Sequence, residues 1–255
     1  MTRRRFYAPP SAFAQGGAGV VLSEEESRHL RDVLRLREGE EAYVFDGEGR
    51  EFACVVADAG GRKGAARLEV RGRAEAPSPE SPMGLTLAVA LLKGEKFDLV
   101  VQKATELGAS RVSPVLTRRA DVRPRDAEGG SKRVERWRRL ALEAAKQSGR
   151  ARVPAVDEPL NFIDVVGGTA APGSLRVLFA ERGGVGLDVV HDAASSRASA
   201  VAALVGPEGG WDDEEIELAR AHGWSVVTLG GRTLRAETAA VVVCALLQNL
   251  FGDLR

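Results

Sequence analysis

Two stretches of this chain bring glycine and charge to the ends of apolar segments. The first, VGPEGGWDDEE, runs from Val205 to Glu215 and follows the strand-like ASAVAAL. The second, TLGGRTLRAET, runs from Thr228 to Thr238 and follows SVV; an almost unbroken apolar run comes after it. Arg232, Arg235, Glu237 and Thr238 thus stand at the mouth of a buried-looking segment, and buried charge is costly unless it is paired or used. Either the second stretch is a helix start trimmed with an ion pair, or it is part of a site. The first stretch is open in the same way, because a tight turn alone also needs glycine. Glycine lets a backbone approach a ligand closely, and open α/β sheets bind ligands at the carboxyl ends of their strands. Two such loops on consecutive strand ends converge on one pocket.

Other chemistries lack their residues. There is no phosphate-binding GxxxxGK[ST], no HExxH and no GxSxG, and GGVGL at 183–187 does not have GxGxxG spacing. His29, His191 and His222 are widely separated, and Cys54 and Cys244 lie far apart inside apolar runs, so no metal site and no disulfide framework are expected.

The elements that must carry these loops follow from periodicity. After Gly84 the chain alternates strand-like LTLAVALL, RVSPVL, LRVLFA, ASAVAALVG and SVVTL with helical KFDLVVQKATELG, SKRVERWRRLALEAAKQSGR, DDEEIELARAHG and a final helix from Ala236 to Phe251. That rhythm predicts a mostly parallel sheet. Asp212 with Glu215 is a helix-start signal. Before the linker, RRFYA, GVVL, EAYVFDG, EFACVVA and ARLEVR read as short strands, with DGEG (46–49) as a hairpin turn. A helix is expected over SEEESRHLRDVLRL, with Ser23 and Glu26 as a capping box. This first part reads as a small, partly closed barrel. Pro77, Pro79 and Pro82 mark the linker. The expected division is therefore residues 1–75, a linker at 76–83, and 84–255.

Apolar residues make up 44% of the 255 and charged residues 28%, ordinary for a globular protein. The N-terminus has no apolar region after its basic residues, and the longest apolar run is too short to span a bilayer. The expectation is a cytoplasmic protein with no membrane partner. Net charge is zero, but residues 91–154 hold 16 Lys/Arg against 8 Asp/Glu, and residues 155–255 hold 7 against 14. The basic block is either a polyanion surface or a set of partners for the acidic block. On the helix Lys132–Ser148, Val134, Trp137, Ala141 and Ala144 form the apolar face. Lys132, Arg136, Arg139, Lys146 and then Arg150 form a basic stripe on another side.

VGPEGGWDDEEIELARAHGW (205–224) followed by LGGRTLRAETAA (229–240) resembles the bacterial 16S ribosomal RNA (uracil-N3)-methyltransferases of the SPOUT superfamily. RRFYAPP (4–10) and RHLRDVLRLREGEEAYVFDGEGREF (28–52) resemble the family's PUA-like RNA-binding domain. LLKGEKFDLVVQKATELGASRVSPVLTRR (91–119) and ALEAAKQSGR (141–150) are similar to its middle. One departure is Lys146, where Glu is commoner.

The resemblance implies a PUA-like β-barrel domain followed by an α/β methyltransferase domain with a deep trefoil knot, in a homodimer. The cofactor it implies is S-adenosylmethionine, held by Glu181, Gly206, Pro207, Glu208, Gly209, Gly210, Leu229, Gly230, Leu234 and Thr238. Methyl transfer to uracil N3 needs the loss of a proton, and the resulting anion would be stabilised by Arg235, with Arg232 second. Glu237 would hold Arg235 or accept the proton, and Thr238 would cap the final helix or bond a ligand. The partner is 16S rRNA within the small ribosomal subunit, gripped by Arg3, Arg4, Arg5, His29, Arg31, Arg35, Arg136, Arg139 and Arg150. No metal is implied. Two alternatives stay open: a SPOUT ribose 2′-O-methyltransferase, and a non-catalytic RNA-binding or ribosome-assembly protein.

Overall fold

Alternating apolar residues near the N-terminus build one five-stranded sheet in the computed structural model, which describes residues 3–61, 64–120, 122, 127–168, 173–194 and 198–254. Its strands are β1 (Arg5–Tyr7), β2 (Gly19–Val21), β3 (Glu41–Phe45), β4 (Glu51–Asp58) and β5 (Arg67–Ala74), in the order β1-β3-β4-β5-β2. Only β1 and β3 run parallel. The expected partly closed barrel is a curled sheet with β1 and β2 as its edges. Phe6, Val20, Leu30, Val44, Cys54 and Leu68 fill its core. The 46–49 turn is made by Asp46, whose Oδ1 accepts from the N–H groups of Glu48 and Arg50.

The helix after Ser23 is not uniform. α1 (Glu24–Arg28) continues as one π-helical turn over His29–Val33. Ser23 accepts from the Glu26 N–H, which is half of the expected capping box. The Glu26 carboxylate is engaged instead by Lys146 Nζ at 2.8 Å.

The chain divides into two compact units, Met1–Glu80 with Ala145–Val153, and Ser81–Ala144 with Pro154–Arg255. Sequence alone assigned residues 145–153 to the later part; the structure packs them with the N-terminal sheet, through contacts between residues distant in the chain. Within that unit Ser78 Oγ donates to the Ser148 carbonyl, and Arg150 is bound to Glu80.

The second unit holds a seven-stranded sheet. Its strands are β6 (Gly84–Ala90), β7 (Ala109–Leu116), β8 (Ala155–Val156), β9 (Leu160–Asn161), β10 (Leu175–Phe179), β11 (Ala200–Val205) and β12 (Ser225–Val227). The order is β12-β10-β11-β6-β7-β8, with β9 also on β7, and every pair is parallel. Leu85, Leu87, Val89, Val177, Leu178, Val201 and Leu204 are buried, as strands covered on both faces require. Pro114 sits inside β7 because β8 pairs at Arg111–Val112 and β9 at Val115–Leu116, leaving a gap where proline has no N–H to offer. The helices are α2 (Lys96–Glu106), α3 (Ala127–Ser148), α4 (Phe162–Gly167), α5 (Leu187–Ala193), α6 (Asp213–Ala221) and α7 (Ala236–Phe251). Val134, Trp137, Ala141 and Ala144 of α3 are buried, as their spacing predicts. Among the described residues no helix is long and apolar enough to cross a membrane.

Candidate functional site

β10, β11 and β12 are parallel neighbours, so the segments that leave them emerge on one edge of the sheet. Between those segments lies a cavity of about 550 Å³, walled by residues 179–181, 205–211 and 228–236 with Ala239. Its volume is in the range of small-molecule sites.

The loop after β11 is folded back on itself. Trp211 is fully buried and donates its Nε1–H to the Phe179 carbonyl at 2.8 Å, tying the loop to the end of β10. Gly206 has to be glycine because a Cβ there would stand 2.9 Å from that indole nitrogen. Gly210 has φ +69°, and a Cβ on it would collide with the Glu181 carboxylate. α6 then starts on a full capping box: Glu215 accepts from the Asp212 N–H, and Asp212 Oδ1 accepts from the Glu214 N–H. The other oxygen of Glu215 accepts from the Arg118 N–H, fixing the end of β7 to the same helix start.

The segment after β10 lies against β12. Gly184 donates to Thr228 Oγ1, Val185 to the Val226 carbonyl, and Thr228 to the Val185 carbonyl, each at 3.0 Å. Gly230 and Gly231 have φ of +71° and +77° with open space around both, so their backbone conformation requires glycine.

Every residue expected to bind the cofactor or act in catalysis lines this cavity except Glu237 and Thr238. Arg232 and Arg235 are exposed, and among the described residues no carboxylate is paired with either. The expected Arg235–Glu237 pair is corrected. Arg235 is the extended N-cap of α7, and residues two apart at a helix start do not face each other. Glu237 is instead 9% exposed, with Lys96 Nζ 3.9 Å from its Oε2. Thr238 is exposed on the first turn and makes no cap, because Arg235 already occupies the N-cap position.

Sequence reasoning missed Lys96, whose Nζ donates to Glu208 Oε1 at 2.9 Å. The one available signal is its place just beyond the carboxyl end of β6, on the ligand-binding edge. The hydrogen bond to Glu208 raises the Lys96 ammonium above its usual range, with Glu208 and Glu237 adding by charge and Arg235 opposing. Burial pushes the Glu208 carboxyl up, but the bond from Lys96 and the N–H groups of Glu208 and Lys93 outweigh it and hold it below the usual range.

The expected RNA contacts fare unevenly. Arg5 is taken up internally: its side chain is 8% exposed, it holds Glu51 at 2.7 Å, and it donates to the carbonyls of Lys146 and Arg150. Arg150 is 4% exposed and bound to Glu80. Neither is available to RNA, because each closes a buried network within its unit. Arg3 lies over the Tyr43 ring, Arg4 pairs with Glu40, and Arg31 with Asp32. His29 packs edge-on against Phe6. Arg35 is exposed at φ +55°, outside the usual range for a side chain of its kind. On α3, Arg136 pairs with Asp98 and Glu95, while Arg139 is exposed. Arg123 and Arg125 lie outside the described residues.

Among the described residues five cations of the basic block find partners in the acidic block. Lys96 pairs with Glu208, Arg111 with Asp157, Arg118 with Glu214, Arg119 with Asp212 and Arg138 with Glu158. Arg232 and Arg235 at the cavity, and Arg139 on α3, are exposed and have no carboxylate partner among the described residues. Among the described residues no group of three or more His, Cys, Asp or Glu is placed to hold a metal ion.

Comparison with known proteins gives this arrangement a family. The profile of the RNA methyltransferase domain matches residues 79–248, and that of the RNA methyltransferase PUA domain matches residues 22–69. The ribosomal RNA small subunit methyltransferase E of Synechocystis sp. is 36% identical over 91% of this chain and 74% of its own length. That of Mycobacterium bovis is 34% identical over 89% and 84%. The crystal structure of the Neisseria gonorrhoeae ribosomal RNA small subunit methyltransferase E, bound to S-adenosylmethionine, superposes with a TM-score of 0.86 at 30% identity over all of both chains. A methyltransferase of Legionella pneumophila in complex with the same cofactor gives 0.85 at 30% identity, over 99% of this chain and all of its own. With a curled N-terminal sheet, a parallel α/β unit and a cavity at three adjacent strand ends, this chain belongs to the ribosomal RNA small subunit methyltransferase E family.

Proposed function

We propose that this chain, an S-adenosylmethionine-dependent methyltransferase of small-subunit ribosomal RNA, methylates N3 of one uridine in 16S rRNA. The observation that carries this reading is the pair of unpaired arginines, Arg232 and Arg235, at a cavity walled by glycine loops. The cavity suits the cofactor: side chains at Gly206 and Gly210 would displace the Trp211 indole and the Glu181 carboxylate that shape its wall. Phe179, Val205, Leu229 and Leu234 would hold its apolar faces, and the backbone of the loops after β11 and β12 its polar edges. When bound, S-adenosylmethionine supplies a methyl group already activated on a sulfonium.

The chain has two tasks. It must hold the uracil ring in line with that methyl group, which is a positioning problem. It must also favour the N3 anion, whose charge spreads onto O2 and O4. Arg235 at the cavity mouth is the donor for those oxygens, with Arg232 beside it in the loop. The proton-accepting role expected of Glu237 has no support, because Glu237 does not line the cavity. N3 lies on the Watson–Crick edge, so the target base must be unpaired or turned out of its stack.

A homodimer with a knotted second domain belongs to this reading, as does action in the cytoplasm, where ribosomal RNA is the substrate. Val185 bridges to Val227 beside the chain leading to α7, and α7 packs on β6, β11 and α2, which supports a threaded path. The test is genetic. Deleting the gene should remove N3-methyluridine from small-subunit rRNA. The wild-type gene should restore it, and Arg235→Ala should not. Retention of the modification in the deletion strain would overturn the assignment.

A further inference from the structure

One ammonium group reaches both walls of the cavity from outside it. Lys96 opens α2, where the chain leaves β6 through Gly94 at φ +61°. Its Nζ is 2.9 Å from Glu208 Oε1, in the loop after β11, and 3.9 Å from Glu237 Oε2, in the first turn of α7. These carboxylates are not equivalent. The Glu208 side chain is 26% exposed and can turn to water, whereas that of Glu237 is 12% exposed. Glu237 Oε2 is also buried with no hydrogen-bond donor. A buried carboxylate in that state depends on a nearby opposite charge. Glu237 lies two residues after Arg235, the arginine at the cavity mouth, so whatever anchors Glu237 also sets where α7 begins.

We infer that Lys96 is a positioning residue, whose ammonium ties the loop after β11 to the first turn of α7 and holds the two walls of the cavity in register. The inference rests on the reading of that cavity as the cofactor site. Lys96 does not line the cavity, so it acts through Glu208 and Glu237. A cation is needed there because it faces two anions; a neutral side chain of the same length leaves Glu237 buried and unpaired, and the two segments free to separate.

The test uses the full chain, with Lys96→Met, Lys96→Arg and the double variant Lys96→Met/Glu237→Gln. Amide hydrogen exchange is followed without ligand, and S-adenosylmethionine binding by calorimetry. Lys96→Met should speed exchange across both 206–210 and 229–237 by roughly tenfold, as local opening becomes easier. It should also weaken cofactor binding by about tenfold, through the lower population of the competent state. Lys96→Arg should restore both. The double variant removes the buried charge as well; it should fold even if Lys96→Met does not, and it should slow exchange at α7 relative to the single variant. A general loss of packing would not be rescued by arginine or by a second substitution. Unchanged exchange in both segments of Lys96→Met overturns the tether. Failure of the double variant to improve on Lys96→Met overturns the role of Glu237. If the wild-type chain does not bind S-adenosylmethionine, the reading of the cavity fails, and the exchange comparison still decides the tether.

Discussion

Replacing Gly184 by alanine forces two backbones apart. A Cβ at that position would stand 2.6 Å from the Thr228 nitrogen and 2.6 Å from the Val227 carbonyl carbon. Comfortable contacts of this kind are about 3.5 Å or more, so the segment must retreat from β12 by about 1 Å. Neither side is the flexible end of a side chain. Three hydrogen bonds of 3.0 Å join the two segments: Gly184 to Thr228 Oγ1, Val185 to Val226, and Thr228 to Val185. A retreat of that size carries them beyond hydrogen-bonding range. At about 1 kcal/mol each, the loss is about 3 kcal/mol. For a unit of this size that lowers the melting temperature by roughly 6–12 °C. Thr228 lines the cavity, so cofactor affinity falls as well. Gly230→Ala is the control. Its φ is +71° with nothing within 4 Å of a Cβ, so only the conformational penalty of about 1–2 kcal/mol applies. Thermal unfolding followed by circular dichroism reads both variants. A Gly184→Ala protein melting within about 2 °C of wild type, with unchanged cofactor affinity, would refute the packing argument.

Three further outcomes follow from the same structure. Arg5→Ala should destabilise the N-terminal unit by about 2–3 kcal/mol, since it leaves the fully buried Glu51 carboxylate with only the 3.4 Å contact from Arg3; urea denaturation checks this, and an effect confined to RNA affinity would contradict it. The Lys96–Glu208 pair should support stability between two limits. Glu208 is lowered on folding, so its contribution is complete above its ordinary value of 4.5 and fades as pH falls through the folded value. Lys96 is raised, so its contribution is complete below 10.5 and fades as pH climbs through the folded value. The melting difference between wild type and Lys96→Met should therefore close below 4.5 and above 10.5; a difference independent of pH would argue against the pair. Burial pushes the thiols of Cys54 and Cys244 up to about 12. Iodoacetamide should leave both untouched in the native protein and label both after unfolding, and rapid native labelling would show that the cores open.

Local chemistry made much of this architecture legible. α7 spans Ala236–Phe251, the limits set by the charged LRAET start and the apolar run behind it. α6 begins on the Asp212–Glu215 box because both halves of that signal lie within four residues. The same pattern at Ser23 gave only half a box, since Glu26 has Lys146 as a stronger partner from far along the chain. β8 and β9 are two residues each and exist only because β7 offers them an edge, so no periodicity marks them. α5, with seven residues, is short of the length at which helical spacing is distinctive. At the site, glycine spacing and strand ends located the cavity, but the partner of Glu237 did not follow from neighbours in sequence. Lys96 lies more than a hundred residues before it, and only the order of strands in the sheet brings them together. The partners of Arg111, Arg118, Arg119 and Arg138 were illegible for the same reason, because their carboxylates sit on remote segments.

The central claim is that the arginine-lined cavity transfers a methyl group to a base of small-subunit rRNA. The most direct measurement incubates the purified chain with methyl-labelled S-adenosylmethionine and small ribosomal subunits that lack the modification, then identifies the labelled nucleoside. The account predicts label in N3-methyluridine from the wild-type chain. Arg235→Ala should lower the rate by roughly a hundredfold or more while its melting temperature is retained. Label on ribose, or an Arg235→Ala variant as active as the wild type, would contradict it.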